Sequence, residues 1–282
     1  MERKKIAIIG IGLIGGSLAI QLHEKKLSSR LMGVDANAAH AKQALEMELV
    51  DEILSLEEAI QQSEIIVLAI PVDAMVSLLP VILDKIDKQI VVDLGSAKSN
   101  LIEAIKSHPK RGRYVATHPM WGTEYSGPLA AVRGAFENKA VILCNPEESD
   151  ADALEWVKHM YKKIGMRLLE MEAKAHDLHA AYVSHISHIT SFALANTVLQ
   201  KEKEDNAIFE LASAGFESTV RLAKSNPAMW VPIFMQNKEN VLDVLKEHIA
   251  QLSRFKESIE KDDNEYLLRL IQEANKISRI IK

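Results

Sequence analysis

The glycines Gly10, Gly12 and Gly15 are spaced as GxGxxG directly behind an apolar run at residues 6–9. That spacing suits a pyrophosphate. Gly10 permits a tight turn, Gly12 lets the backbone approach the phosphates, and Gly15 lets the following helix pack against the strand. The helix that opens at Leu13 and Ile14 offers free N–H groups and a partial positive charge at its start. A second apolar run, residues 31–34, ends on Asp35. This acid stands about 20 residues past Gly15, the spacing of a carboxylate that binds a ribose 2′-hydroxyl. Such a carboxylate repels a 2′-phosphate, so NAD is favoured over NADP unless a nearby Arg or Lys compensates.

A second group of residues can do chemistry on what such a cofactor meets. An apolar run at residues 114–117 delivers His118, which opens the segment His-Pro-Met-Trp-Gly-Thr-Glu-Tyr-Ser-Gly at residues 118–127. A strand end in an open parallel sheet is where ligands gather, so His118 is expected beside the reactive carbon of a nicotinamide. With an ordinary pKa near 6.5 its imidazole can be neutral at pH 7 and accept the proton of a hydroxyl while hydride leaves the carbon. A purely structural histidine at a strand end is the alternative. Ile70 and Pro71 follow another run and are expected to wall the cofactor. Ser96, in Gly95-Ser96-Ala97-Lys98, is either a helix cap or a hydrogen-bond donor at the site. Arg221 is the best available fork for a carboxylate if it faces the cleft, and otherwise a solvated charge. The pairs His176/His179 and His185/His188, each at i,i+3, raise the question of a metal. No HExxH pattern or cysteine cluster accompanies them, so substrate contact or buried hydrogen bonding is expected and a metal is not.

The elements that must position these groups fall into two parts. Apolar runs at residues 6–9, 31–34, 65–70, 90–94, 114–117, 140–144 and 166–169 alternate with helical patterns. This predicts an α/β fold of the Rossmann type, a mostly parallel doubly wound sheet covered on both faces. All 12 glycines but Gly215 lie at or before Gly165, and no β-rich run follows residue 169. The boundary is therefore drawn near residue 170, with a nucleotide-binding domain at residues 1–170 and an all-helical domain at residues 171–282. In the latter, Val241, Leu245, His248, Leu252, Phe255 and Ile259 form a coiled-coil-like seam, and Leu267, Leu270, Ala274, Ile277 and Ile281 a second stripe. One stripe suits internal packing, and the other suits either a second subunit or plain core packing. The charged run at residues 201–205 reads as a solvated helix end or loop.

Composition narrows the class further. A hydrophobic content of 48% with 26% charged residues describes a globular protein, and a formal net charge of −5 gives no footprint for nucleic acid. Cys144, the single cysteine, sits in an apolar run and reads as a buried, inert thiol. Arg3, Lys4 and Lys5 ahead of an apolar stretch mimic a signal peptide, but the glycines in that stretch already have a binding task. No later run is long enough to span a bilayer, so a cytoplasmic protein without a membrane partner is expected.

Together these motifs resemble the prephenate and arogenate dehydrogenases of tyrosine biosynthesis over nearly the whole chain. Residues 10–17 resemble that family's GxGLIGGS, residues 93–98 its DxGSxK, residues 118–127 its HPMxGxExSG, and His176-Asp177 with residues 184–188 its HD…SHxxH. Arg221 and Trp230 fall at the positions of FxDxTR…W. The resemblance implies NAD-dependent oxidative decarboxylation of prephenate to 4-hydroxyphenylpyruvate. In it His118 takes the hydroxyl proton and Ser96 holds the hydroxyl or the imidazole. Arg221 binds a substrate carboxylate with help from His188, Thr123 and Glu124 lie by the substrate, and Trp230 shapes the pocket. It also implies a homodimer formed through the helical domain. Ser218 and Val220 depart from the family's Asp and Thr beside Arg221, which puts feedback and gating through that segment in doubt. No fused mutase or regulatory domain is expected. The nearest alternative is the same chemistry on arogenate. More distant ones are a 3-hydroxy acid dehydrogenase, which relies on a catalytic lysine, and an NAD-sensing protein.

Overall fold

The computed structural model describes residues 2–203 and 208–280. Its first part alternates strand and helix: β1 (Lys4–Ile9), α1 (Leu13–Glu24), β2 (Ser28–Val34), α2 (Ala38–Glu46), β3 (Glu52–Ile53), α3 (Leu56–Gln62), β4 (Ile65–Leu68), α4 (Val72–Lys85), β5 (Ile90–Asp93), α5 (Ser99–Ala104), β6 (Tyr114–Pro119), β7 (Ala140–Cys144), α6 (Ala151–Ile164) and β8 (Arg167–Met171). Helices then follow: α7 (Ala173–Ala180), a π-helical turn (Ala181–His185), α8 (Ile186–Glu202), α9 (Ala214–Val220), α10 (Pro227–Gln236), α11 (Lys238–Glu260) and α12 (Asn264–Ala274). Compactness divides the chain into one unit at Met1–Asn237 and another at Lys238–Lys282.

The strands of the first unit form one sheet in the order β3-β2-β1-β4-β5-β6-β7-β8. Strands β1 to β6 run parallel, β7 is antiparallel to β6, and β8 is parallel to β7. The parallel pattern read from the apolar runs thus holds for six strands and reverses for the last two. Strand β3, two residues long, was not among the expected strands because no periodic pattern fits in so short a segment. Alternate residues of each inner strand serve the two faces. Ile6, Ile8, Ile65 and Val67 meet Leu18 and Leu22 of α1 and Val157 and Met160 of α6. Ile66, Leu68 and Val91 meet Leu79, Ile82 and Leu83 of α4 and Leu101 of α5. Cys144 is buried in β7, and burial pushes its thiol up to about 12, as befits an inert packing residue.

The chain leaves β1 toward β2 and β3, then crosses back so that β4 lies on the other side of β1. That reversal opens a crevice at the carboxyl ends of β1 and β4. The glycine loop fills it tightly. Gly10 has φ +93°, and a Cβ there would lie 2.5 Å from the carbonyl oxygen of Ala69. A Cβ on Gly15 would lie 2.0 Å from the carbonyl oxygen of Gly10.

In the second unit α11 and α12 form a hairpin. Ser258 Oγ donates to the carbonyl of Asp263 (3.0 Å), and the Asp263 carboxylate accepts from the Tyr266 N–H (2.9 Å). The expected seam is unevenly covered: Val241 is buried, Leu245, His248 and Phe255 are half-buried, and Leu252 and Ile259 are exposed. In the second stripe Leu267 and Leu270 are half-buried, Ala274 and Ile277 are exposed, and Ile281 lies outside the described residues. In the charged run at residues 201–205, Lys201 and Glu202 close α8 and Lys203 is a turn, while Glu204 and Asp205 lie outside the described residues. Among the described residues no helix is long and apolar enough to cross a membrane.

The close approach at Gly15 yields a direct test. Gly15→Ala forces the loop and α1 apart, and overpacking of this kind costs about 1–3 kcal/mol. Chemical denaturation should register that loss and dinucleotide titration should register weaker binding; unchanged values for both would refute the packing argument.

Candidate active site

The crevice at the switch point is a cleft of about 620 Å³. Gly10, Gly12, Asp35, Ile70 and Pro71 line it, together with Asn37, His40 and Ser55. Of the remaining residues expected to meet a cofactor, Leu13 and Ile14 form the first turn of α1 and Gly15 lies beneath the loop. No side chain caps that helix at Gly12, so its first N–H groups are left for another partner. A Cβ on Gly12 would meet nothing within 4 Å, so the backbone is open to close approach there. Asp35 accepts hydrogen bonds from the Ile11 N–H and the Asn37 N–H, both 2.9 Å. These bonds fix the carboxylate at the end of β2, where it borders the cleft. The nearest basic side chain is His40, 4.0 Å away. A glycine-opened backbone, an uncapped helix start and a fixed acid fit a dinucleotide whose ribose carries a free 2′-hydroxyl.

His118 stands at the end of β6 on the same edge of the sheet. Its Nδ1 is 2.8 Å from His176 Nε2, and His176 Nδ1 is 2.8 Å from Asp177 Oδ1. Asp177 also accepts the backbone N–H groups of Lys98 (2.9 Å) and Ser99 (2.8 Å), and its own carbonyl accepts from Asn237 Nδ2 (2.7 Å). Burial pushes the Asp177 carboxyl up, but the bonds from His176 and Ser99 outweigh it and hold the group below its ordinary value. Burial, then the nearby His176, Lys98 and His185, holds His118 well below the ordinary histidine value, so the ring is neutral at pH 7.

A fully buried ion pair supports this edge from below. Lys98 Nζ binds Asp93 Oδ2, and both side chains are inaccessible to solvent. Asp93 also accepts from the Tyr114 hydroxyl (2.8 Å), the Thr117 N–H (3.0 Å) and the Gly95 N–H (2.9 Å). The pair thus ties β5, β6 and the loop that carries Ser96. The Ser96 Oγ is buried and has no hydrogen-bond partner among the described residues.

The helical side contributes a second set. His188 stacks on Trp230, with ring centroids 3.4 Å apart and planes at 25°. Trp230 packs with Val72, Ile233, Phe192 and Phe234. His185 meets Trp230 edge-on and lies 3.3 Å from Asn237 Nδ2. Its Nε2 and the Trp230 Nε1 are buried without partners among the described residues. The π-helical turn at Ala181–His185 sets the register that turns His185 and His188 toward Trp230. Arg221 Nη1 donates to Glu124 Oε2 at 2.7 Å, which links the segment after β6 to the turn after α9. A bond from its own N–H, then Arg221, holds Glu124 below its ordinary value. Thr123 Oγ1, one residue earlier, accepts from the Tyr125 N–H (3.3 Å).

Of the i,i+3 histidine pairs, His185 and His188 converge on Trp230 while His176 and His179 part. His176 is buried while His179 is exposed, and among the described residues no three His, Cys, Asp or Glu side chains are grouped to hold a metal. His176 with Asp177, and Asp93 with Lys98, are the groups that residue-by-residue reading undervalued. Their signal was ionisable residues in runs that are otherwise apolar or small.

A dinucleotide cleft sharing its sheet edge with a neutral, buried-side histidine is the arrangement of a nicotinamide-dependent dehydrogenase. The chain belongs to the prephenate dehydrogenase family: "Prephenate dehydrogenase, nucleotide-binding domain" matches residues 18–170 and "Prephenate dehydrogenase, dimerization domain" matches residues 172–273. It is an NAD-dependent dehydrogenase of that family. It is 30% identical to prephenate dehydrogenase of Bacillus subtilis over 273 residues, 95% of this chain and 74% of that one. The crystal structure of Aquifex aeolicus prephenate dehydrogenase with hydroxyphenyl propionate and NAD+ is similar at TM-score 0.88 and 28% identity, covering 99% of this chain and 98% of that one. Synechocystis arogenate dehydrogenase is similar at TM-score 0.76 and 26% identity, covering 99% of this chain and all of its own.

The buried ion pair is open to test. Lys98→Met leaves the Asp93 charge without its cation, and breaking such a pair costs about 3–5 kcal/mol. The double variant Asp93→Asn/Lys98→Met should recover much of that loss in chemical denaturation. A single variant as stable as wild type would show that the pair does not hold this edge together.

Proposed function

We propose that the chain oxidises prephenate with NAD, releasing CO₂ and 4-hydroxyphenylpyruvate. The observation that carries this reading is His118, neutral at the strand end, with no partner on Nε2 among the described residues. Family membership supports the substrate class. In this reading residues 1–170 bind NAD, and residues 171–282 complete the substrate site and form a homodimer in the cytoplasm. The apolar side chains left exposed on α11 and α12, such as Leu252, Ile259 and Leu268, support a second copy as their cover.

NAD would be held by the glycine loop, the start of α1, Asp35 and the wall at Ile70 and Pro71, with Ser96 beside it. When bound there it supplies the hydride acceptor. The remaining work falls to the chain's own side chains. His118 accepts the proton of the C4 hydroxyl as the C4–H bond breaks, with Ser96 Oγ donating to that oxygen or steadying the ring. The bond from C1 to the ring carboxylate then breaks, CO₂ leaves, and its electron pair completes the aromatic ring as a phenolate, which takes back the proton held by His118. Arg221 offers its remaining N–H donors to a substrate carboxylate. Glu124 and Thr123 border it, and His188 stacked on Trp230 forms an apolar wall with a polar rim.

Measuring NADH formation with prephenate and with arogenate in separate reactions tests the substrate. Turnover of prephenate supports the reading, turnover of arogenate alone assigns the amino acid form, and turnover of neither refutes both. His118→Asn should lower kcat by roughly 10²–10⁴ with NAD affinity unchanged, the usual worth of a general base. Because the folded ring resists protonation, activity is lost only as pH falls through a value below the ordinary 6.5. An acid limb of kcat/KM at or above 6.5 contradicts the assignment. Arg221→Gln should raise KM for the substrate far more than it lowers kcat; an effect confined to kcat would mean that Arg221 acts elsewhere.

A further inference from the structure

We propose that His176 and Asp177 are positioning residues that fix the tautomer of His118, presenting an unprotonated Nε2 to the substrate hydroxyl. The proposal rests on the reading of His118 as the base and adds the device that makes it one. A neutral imidazole carries one proton on either of two nitrogens, and only the bare nitrogen can accept another. Left alone, the ring would populate both forms. Here the hydrogen bonds decide between them.

The order of the protons is set at Asp177. Its carboxylate already accepts two backbone N–H groups, from Lys98 and Ser99, and as an ionised group it can only accept. His176 Nδ1, 2.8 Å from Oδ1, must therefore be the protonated nitrogen of that ring. With its single proton on Nδ1, His176 keeps a lone pair on Nε2. His118 Nδ1 lies 2.8 Å from it and must donate. The proton of His118 is thus held on Nδ1, and Nε2 is left bare. The wrong tautomer would set two lone pairs against each other at 2.8 Å, beside a buried His176.

Asp177 is itself anchored on three sides, which keeps the relay in register. The start of α5 holds both carboxylate oxygens, and Asn237 holds the backbone carbonyl. Because Lys98 supplies one of those N–H groups and its ammonium binds Asp93 beneath β6, the strand that carries His118 and the helix that carries His176 are referenced to one loop.

Two-bond ¹H–¹⁵N spectra of the full chain labelled at histidine read the tautomer directly, without cofactor or substrate. The His118 resonance is identified by its absence from His118→Asn. The wild type should show His118 protonated on Nδ1. His176→Leu, which can neither accept nor donate, should release it to a mixture of tautomers. The same variant should lower kcat by about 10–100-fold, the usual scale for a group that orients a working histidine, while KM for prephenate stays within about twofold. His176→Gln, whose amide can accept from His118 and donate to Asp177, should restore both the tautomer and most of kcat. A wild-type His118 protonated on Nε2 overturns the proposal, even if His176→Leu does not fold. So does a His176→Leu protein with unchanged tautomer and kcat, or a His176→Gln protein as impaired as His176→Leu. If His118→Asn keeps full activity, the base assignment fails separately, and the spectra still decide the tautomer.

Discussion

The carboxylate of Asp177 is the junction on which the arrangement of this edge depends. It is 1% exposed, and a buried carboxylate is costly unless its lone pairs are filled. Two backbone N–H groups at the start of α5 and the imidazole of His176 fill them. The need to satisfy one buried charge thereby fixes the distance between the loop after β5 and the helix α7, and through His176 the angle of the ring on β6. No apolar residue at position 177 could transmit such a constraint, because dispersion contacts lack direction.

Beneath it, Asp93 and Lys98 show the same logic with the charges paired. Two ions without solvent contact are tolerable only when every remaining donor and acceptor finds a partner. Tyr114, Thr117 and the Gly95 N–H complete the shell of Asp93. The backbone of Lys98 then belongs to Asp177 while its ammonium belongs to Asp93, so one residue joins the two buried carboxylates. This gives the carboxyl edge of the sheet a rigid polar floor next to a dinucleotide crevice that is itself fixed by close approach at Gly10 and Gly15.

Much of this was legible in the residues because local rules carried it. The glycine spacing, the apolar run before it and Asp35 after it each have a local physical task, and they agree. The strands announced themselves as short β-branched runs because both faces of the sheet are covered. His118 was conspicuous as an ionisable residue at the end of such a run. What could not be read locally was orientation. The reversal of β7 against β6 depends on a connection of some twenty residues (the segment 120–139) with no periodic pattern. The helical histidines were grouped by i,i+3 spacing, yet His179 points to solvent and a π-helical turn falls between His176 and His188. One extra residue in a turn rotates everything after it by about 100°, so spacing alone could not say which rings converge. The roles of His176 and Asp177 could not be read from local spacing, because their partners lie some sixty and eighty positions away.

The three polar atoms at this edge that have no partner point the same way as those that do. Ser96 Oγ, His185 Nε2 and Trp230 Nε1 are buried and unbonded, although their neighbours are meticulously satisfied. An orphaned buried group costs about 1–3 kcal/mol. Local conflicts with folding rules gather at functional sites. The aliphatic and aromatic surroundings of Trp230, with His188 stacked on one face, suit a ring; the unbonded hydroxyl, imidazole and indole suit oxygens carried on it. For the proposed reaction, that pairing of apolar wall and unspent donors fits a cyclic substrate that carries oxygens.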